Sequence, residues 1–251
     1  MLPHDSELLT SCGVRGGMPY VLPHGSEPLV LLAGMNCTSD LWSGCGFGHA
    51  LTPELVENSI DAQVDRLLDE LPPRFILCGL SLGGIVGMAM ITRAPERIVG
   101  LCLVSTSAKA PTAAQGESWR RWIERIDGGA SSRELQAEII DALLSPQLVQ
   151  HRPDVVERVL AMGEATGAAT LRSQLLMQTT RTDLRPGIRS VRVPTLIVSG
   201  TADVMCTPQF HTEIAEQIGC ADLLSLDSGH LLPIEKPEAF GSAFRAWRTR
   251  W

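Results

Sequence analysis

The chain has 251 residues, 44% of them apolar and 20% charged, and a formal charge of −7. That composition suits one large globular domain and argues against disorder. An acidic balance with no Lys/Arg block speaks against nucleic acid as a partner, and the lack of about 18 consecutive apolar residues speaks against a membrane span.

Met1 to Gly17 holds Asp5 and Glu7 and no apolar run of signal-peptide length, so a cytoplasmic location is expected. The seven cysteines are odd in number and show neither C-x-x-C nor metal-finger spacing, so they read as free thiols, mostly in the core, with no metal site.

Short apolar runs predict strands at Met18 to Leu22, Leu29 to Leu32, Phe75 to Cys78, Ile98 to Val104, Thr195 to Val198 and Leu223 to Leu226. Runs of that kind suit a buried parallel sheet. Between them lie helical periods. Ile60, Val64, Leu67, Leu68 and Leu71 share one face until Pro72-Pro73 stops the helix, another segment runs from after Ser81 to Ala94-Pro95, and Phe240, Phe244 and Trp247 follow Pro237. Alternation of strand and helix makes the class α/β, with a mostly parallel central sheet flanked by helices.

From about Ala110 to Ser190 that alternation stops and only helical patterns appear. Trp119, Trp122, Ile123 and Ile126 share a face ending at Gly128-Gly129, and Ser131-x-x-Glu134 is a capping box ahead of Leu135, Ile139 and Leu143. Further helices are expected over Asp154 to Met162 and Glu164 to Thr179, and Thr112 to Gly116 reads as a hinge. The segment 110–190 is therefore an expected helical cap inserted into a core made of 1–109 and 191–251. Trp119, Trp122, Leu143 and Leu176 are expected to line the cap or to form its core.

Gly79-Leu80-Ser81-Leu82-Gly83 fits G-x-S-x-G. Five letters alone are a weak signal, but an apolar strand enters the motif and a helix leaves it, which is the setting of a nucleophile on a strained strand-to-helix bend. A serine hydroxyl needs a base, and the base needs an orienting acid. His230 follows the last predicted strand and can meet the upper edge of a sheet; His4, His24, His49, His151 and His211 read as surface or locally bonded. Asp203 follows the strand at Thr195 and gives the chain order Ser, Asp, His. Asp227, three residues from His230, reads as a turn residue.

Leu29 to Trp42, Gly79 to Gly84, Gly200 to Asp203 and Gly229 to Pro237 together resemble the α/β-hydrolase superfamily, particularly its small capped esterases, over the whole chain except the cap. The resemblance implies an oxyanion hole made by the backbone N–H groups of Leu82 and Met35. The sequence departs from the family in two places. Ala33-Gly34 stands where many relatives carry His-Gly, and Ser43 to Asn58 lacks the D-x-x-G-x-G-x-S pattern, so the fourth strand of the family is expected near His49 to Val56.

These readings lead to a serine hydrolase that opens a carboxylic ester or lactone of a small acyl substrate through an acyl-enzyme, without a cofactor. A thioester or carrier-linked ester is an alternative, suggested by Trp119-Arg120-Arg121-Trp122 with Arg125 and by similarity to carrier-protein methyl esterases. The acids of the cap balance its arginines, which weakens that alternative. Carbon–carbon hydrolysis, perhydrolysis and a non-catalytic ligand-binding receptor complete the set.

Overall fold

A computed structural model describes residues 27–250. Among the described residues one sheet is formed from β1 (Leu29–Leu32), β2 (Phe75–Leu80), β3 (Ile98–Val104), β4 (Thr195–Gly200) and β5 (Ala221–Leu226), in that spatial order with every pair parallel. All residues of β1 to β4 are buried, which explains their continuous apolar sequences; β5, at the edge, alternates between buried and more exposed positions. The strand predicted at Met18 to Leu22 lies outside the described residues.

Successive side chains of a strand point to opposite faces, so each strand feeds two cores. Leu29 and Leu31 pack with Trp42, Phe240, Phe244 and Trp247, whereas Val30 and Leu32 pack with Val64, Leu67, Ile85 and Ile214. The second core is closed by α1 (Ile60–Glu70) and α2 (Leu82–Arg93). α1 begins where the Ser59 side chain accepts from the Ala62 N–H and ends before the two prolines.

Between β3 and β4 the chain runs through α3 (Ala113–Asp127), α4 (Ser132–Glu138), α5 (Ile140–Leu143), α6 (Pro146–His151), α7 (Pro153–Thr166), α8 (Ala168–Thr179) and α9 (Arg185–Ile188). The helices α10 (Pro208–Ile218), α11 (Leu232–Glu235) and α12 (Pro237–Arg248) complete the described chain, and none of its helices is long and apolar enough to cross a membrane. Trp119, Trp122, Ile123 and Ile126 are half-buried against Leu135, Leu171 and Leu175, while Leu143 is buried in the core that holds Trp42.

Three local expectations are corrected. No strand spans His49 to Val56; Leu51 alone bridges β1, by hydrogen bonds to Leu29 and Leu31, and Pro53 lacks the N–H that a longer ladder needs. Thr112 to Gly116 is not a hinge, because Thr112 and Gln115 form a capping box and α3 has begun by Ala113. The break between the two long helices of this segment falls at Gly167, with φ 77°, and not before Glu164. Gly163 stays helical and serves close packing instead: a Cβ there would lie 3.0 Å from both Asn36 Nδ2 and Gln136 Cβ.

Candidate active site

β2 ends at Leu80 and α2 starts at Leu82, so the chain reverses direction at Ser81 alone. Ser81 takes φ 53° and ψ −111°, a conformation that costs a non-glycine residue of order 1–3 kcal/mol. The bend is held by backbone packing. A Cβ on Gly79 would come within 2.4 Å of Gly83 O, and one on Gly83 within 2.1 Å of Leu32 O. Both obstacles are main-chain atoms of packed elements, so the two glycines of the motif are steric requirements. The Ser81 N–H donates to Val104 O at 3.0 Å, and Thr106 Oγ1 donates to Ser81 O at 2.8 Å.

Asp203 and His230 sit on the loops after β4 and β5, at the same C-terminal edge of the sheet that carries Ser81. Their separation is 2.8 Å from Nδ1 to Oδ2, and each residue is 2% exposed. The other oxygen, Asp203 Oδ1, accepts from the N–H groups of Met205 at 2.9 Å and Cys206 at 2.8 Å. Burial works to raise the Asp203 pKa, but the charge and hydrogen bond of His230 and the two amides outweigh it and hold the carboxyl below its ordinary value. An ionised Asp203 fixes the imidazole proton on Nδ1, which leaves Nε2 free to accept. Asp227 is exposed, and among the described residues its side chain accepts from Thr201 Oγ1, at 3.4 Å, and not from His230.

The two loops are tied together where Ala202 N–H donates to Ser228 O at 3.0 Å. Glu235 Oε1, which the sequence did not single out, accepts from Gly229 N–H at 3.0 Å and from Ser145 N–H at 2.8 Å, joining the His230 loop to the helical segment. Among the described residues no hydrogen bond joins Ser81 Oγ to His230. The base–acid pair is preformed, and the partly exposed serine is presented at the end of β2, on the same edge of the sheet.

Leu82 is the first residue of α2, so its N–H has no partner within the helix. Among the described residues the Met35 N–H likewise meets no acceptor. The loop after β1 runs beside the elbow: a Cβ on Gly34 would lie 2.9 Å from Leu80 Cδ2 and 3.5 Å from Ser81 Cβ. Among the described residues these two main-chain donors thus have no acceptor, and they belong to the two segments that meet at the elbow.

His211 is a second buried histidine, and its surroundings exclude it as a base. Its Nε2 accepts from the Thr106 N–H at 3.1 Å and its Nδ1 faces Thr207 O at 3.2 Å, so both nitrogens are committed to the neutral ring. Burial pulls its pKa down to about 4. Through Thr106 it braces the carbonyl of Ser81, a role with no local sequence signature. His49 and His151 are exposed.

A family model described as the alpha/beta hydrolase family matches residues 30–243. The chain belongs to that family. Among curated members of similar sequence are 3-oxoadipate enol-lactonase 2 of Acinetobacter baylyi, 27% identical over 77% of this chain and 71% of the relative, and the pimeloyl-[acyl-carrier protein] methyl ester esterase of Nitrosomonas europaea, 28% identical over 88% and 96%. A thermophilic esterase from Thermogutta terrifontis shares the fold, with a TM-score of 0.79 over 89% of this chain and 90% of that one at 24% identity. The α/β-hydrolase expected from the sequence is therefore the fold observed, and its named relatives are esterases and lactonases.

Proposed function

We propose that this α/β-hydrolase opens a carboxylic ester or lactone by way of a Ser81 acyl-enzyme. Ser81 Oγ attacks the acyl carbonyl while His230 Nε2 takes its proton, and Asp203 holds the imidazole and stabilises it when charged. The N–H groups of Met35 and Leu82 bind the oxyanion of the tetrahedral intermediate. Collapse of the intermediate releases the alcohol, which receives the proton from His230, and water attacks the acyl-enzyme with His230 as base. No metal or cofactor enters the scheme. The segment 110–190 acts as a cap over the core built from 1–109 and 191–251, and it selects a small acyl substrate.

The observation that carries this reading is the buried Asp203–His230 pair on the loops after β4 and β5, at the same C-terminal edge of the sheet as the strained Ser81 elbow. A carrier-linked ester is the second reading, favoured by the similarity to carrier-protein methyl ester esterases. Against it, Arg121 and Arg125 on α3 are paired with Glu117 and Glu138, which leaves less unpaired positive charge on the helix that would meet an acidic carrier. Turnover of p-nitrophenyl acyl esters of increasing length, with fluorophosphonate labelling of Ser81, tests the proposal. Ser81→Ala is expected to keep the fold, lose labelling and lower kcat by at least about 10⁴-fold. Activity retained in that variant rejects the assignment.

A further inference from the structure

We infer that Gln174 and Gln136, on the helices between β3 and β4, are positioning residues that aim the oxyanion-binding amide of Met35 by gripping its neighbour Asn36; the inference rests on the serine-hydrolase reading above. Asn36 is 1% exposed and holds φ 57°, a left-handed conformation that needs outside support. Its N–H donates to Gln174 Oε1 at 2.8 Å, and its Nδ2 donates to Gln136 Oε1 at 2.8 Å and to Ser132 O at 3.0 Å. Gln136 Nε2 returns a bond to Asn36 O at 3.4 Å, and Gln174 Nε2 donates to Leu55 O at 3.0 Å. Both peptide planes of Asn36 are therefore held by side chains one hundred or more positions away. The plane that carries the Met35 N–H lies one Cα further back.

Packing alone does not hold this loop. A cavity of about 100 Å³ lies beside it, lined by Gly34, Cys37, Thr38, Leu55 and Gln174 among others, so the loop has room to shift if its polar ties are cut. Ala33 occupies the position where many members of the family carry a histidine, and α4 and α8 provide the ties instead. The helical segment thus acts on the chemistry of the site as well as on access to it.

The test compares wild type with Gln174→Met, Gln136→Met and Gln174→Glu for hydrolysis of a p-nitrophenyl ester and for inhibition by a trifluoromethyl ketone, whose adduct with Ser81 places an oxyanion in the hole. Losing one oxyanion donor costs about 10²–10³ in rate, so misaiming Met35 is expected to lower kcat about 10- to 100-fold in Gln174→Met, with KM within about two-fold. Inhibitor affinity should fall by the same factor as kcat/KM. Gln174→Glu, which keeps an acceptor for Asn36 N–H, should recover part of the loss. If Gln174→Met does not fold, the comparison is made on Gln136→Met. A lower Tm with kcat and inhibitor affinity unchanged, in a wild type that is active, overturns this inference alone. A wild type that neither turns over nor is labelled by fluorophosphonate overturns the serine-hydrolase reading, and this inference with it.

Discussion

Ser81 and Asn36 lie on neighbouring loops at one edge of the sheet, and both hold a positive φ, 53° and 57°, without being glycine. They are constrained by different forces. Around Ser81 the glycines at 79 and 83 let main chain touch main chain, and the bend follows from contacts among β1, β2 and α2. Around Asn36 the constraint is polar and comes from Gln136 and Gln174, beside a cavity. A sterically closed bend tolerates no added atom, whereas a bend held by hydrogen bonds can be loosened by degrees.

The largest effect is expected from Gly83→Ala. Its Cβ would fall 2.1 Å from Leu32 O, with nothing flexible to yield, so a loss of more than about 3 kcal/mol or failure to fold is expected in urea denaturation. A stable, active Gly83→Ala protein would break the contrast on its steric side. Asp203→Asn should leave stability nearly intact by the same measurement but lower kcat about 10³- to 10⁴-fold, because the amide no longer imposes the proton on Nδ1. A loss of activity below ten-fold would show that the acid is not what orients the ring.

His211 sharpens the comparison through pH. Its folded pKa of about 4 lies below the ordinary value of 6.5, so between those limits the unfolded chain binds the proton that the native ring refuses. Stability therefore falls as pH drops from about 6.5 to about 4, by up to about 3 kcal/mol, and this contribution levels off below. His211→Gln keeps an acceptor for Thr106 N–H and should abolish that part of the slope in denaturant titrations at successive pH values. An unchanged slope would assign it to other groups. The smallest effect is expected at Asn36→Gly, which relieves the positive φ but removes the Nδ2 bonds to Ser132 and Gln136, for a net loss of about 1–2 kcal/mol in Tm-derived stability. A gain in stability would show that strain outweighs the polar ties.

Elements near their own causes were legible in the sequence. The strands β1 to β4 were marked by continuous apolar runs because both sheet faces are covered there, and α1 by its single apolar face and the two prolines. The elbow was legible because both glycines lie within two positions of Ser81 in the chain, although the atom that demands glycine at 83, Leu32 O, comes from β1. Asp203 and Asp227 both stood near a strand end and both precede His230; Asp227, three residues from His230 on the same loop, read as a turn residue, and the structure pairs Asp203 with His230. The stretch from His49 to Val56 misled because the family resemblance called for a fourth strand there, whereas only Leu51 bridges β1 and Pro53 lacks the N–H that a longer ladder needs. Gly163 misled as well, since a helical glycine at a close contact looks in sequence like a helix end.

The sequence by itself marked the α/β alternation and the serine bend through periodicity and neighbours a few positions apart, and it pointed to the histidine and its acid, 27 positions apart, through their places after strand ends. Tertiary structure alone decided what braces those groups: His211 and Thr106 behind Ser81, Glu235 under the His230 loop, and Gln136 with Gln174 around Asn36. Such bonds join polar side chains to backbone groups far along the chain. A buried amide or imidazole shows its partner only once the chain has folded around it, since its sequence neighbours carry no trace of the group it will meet.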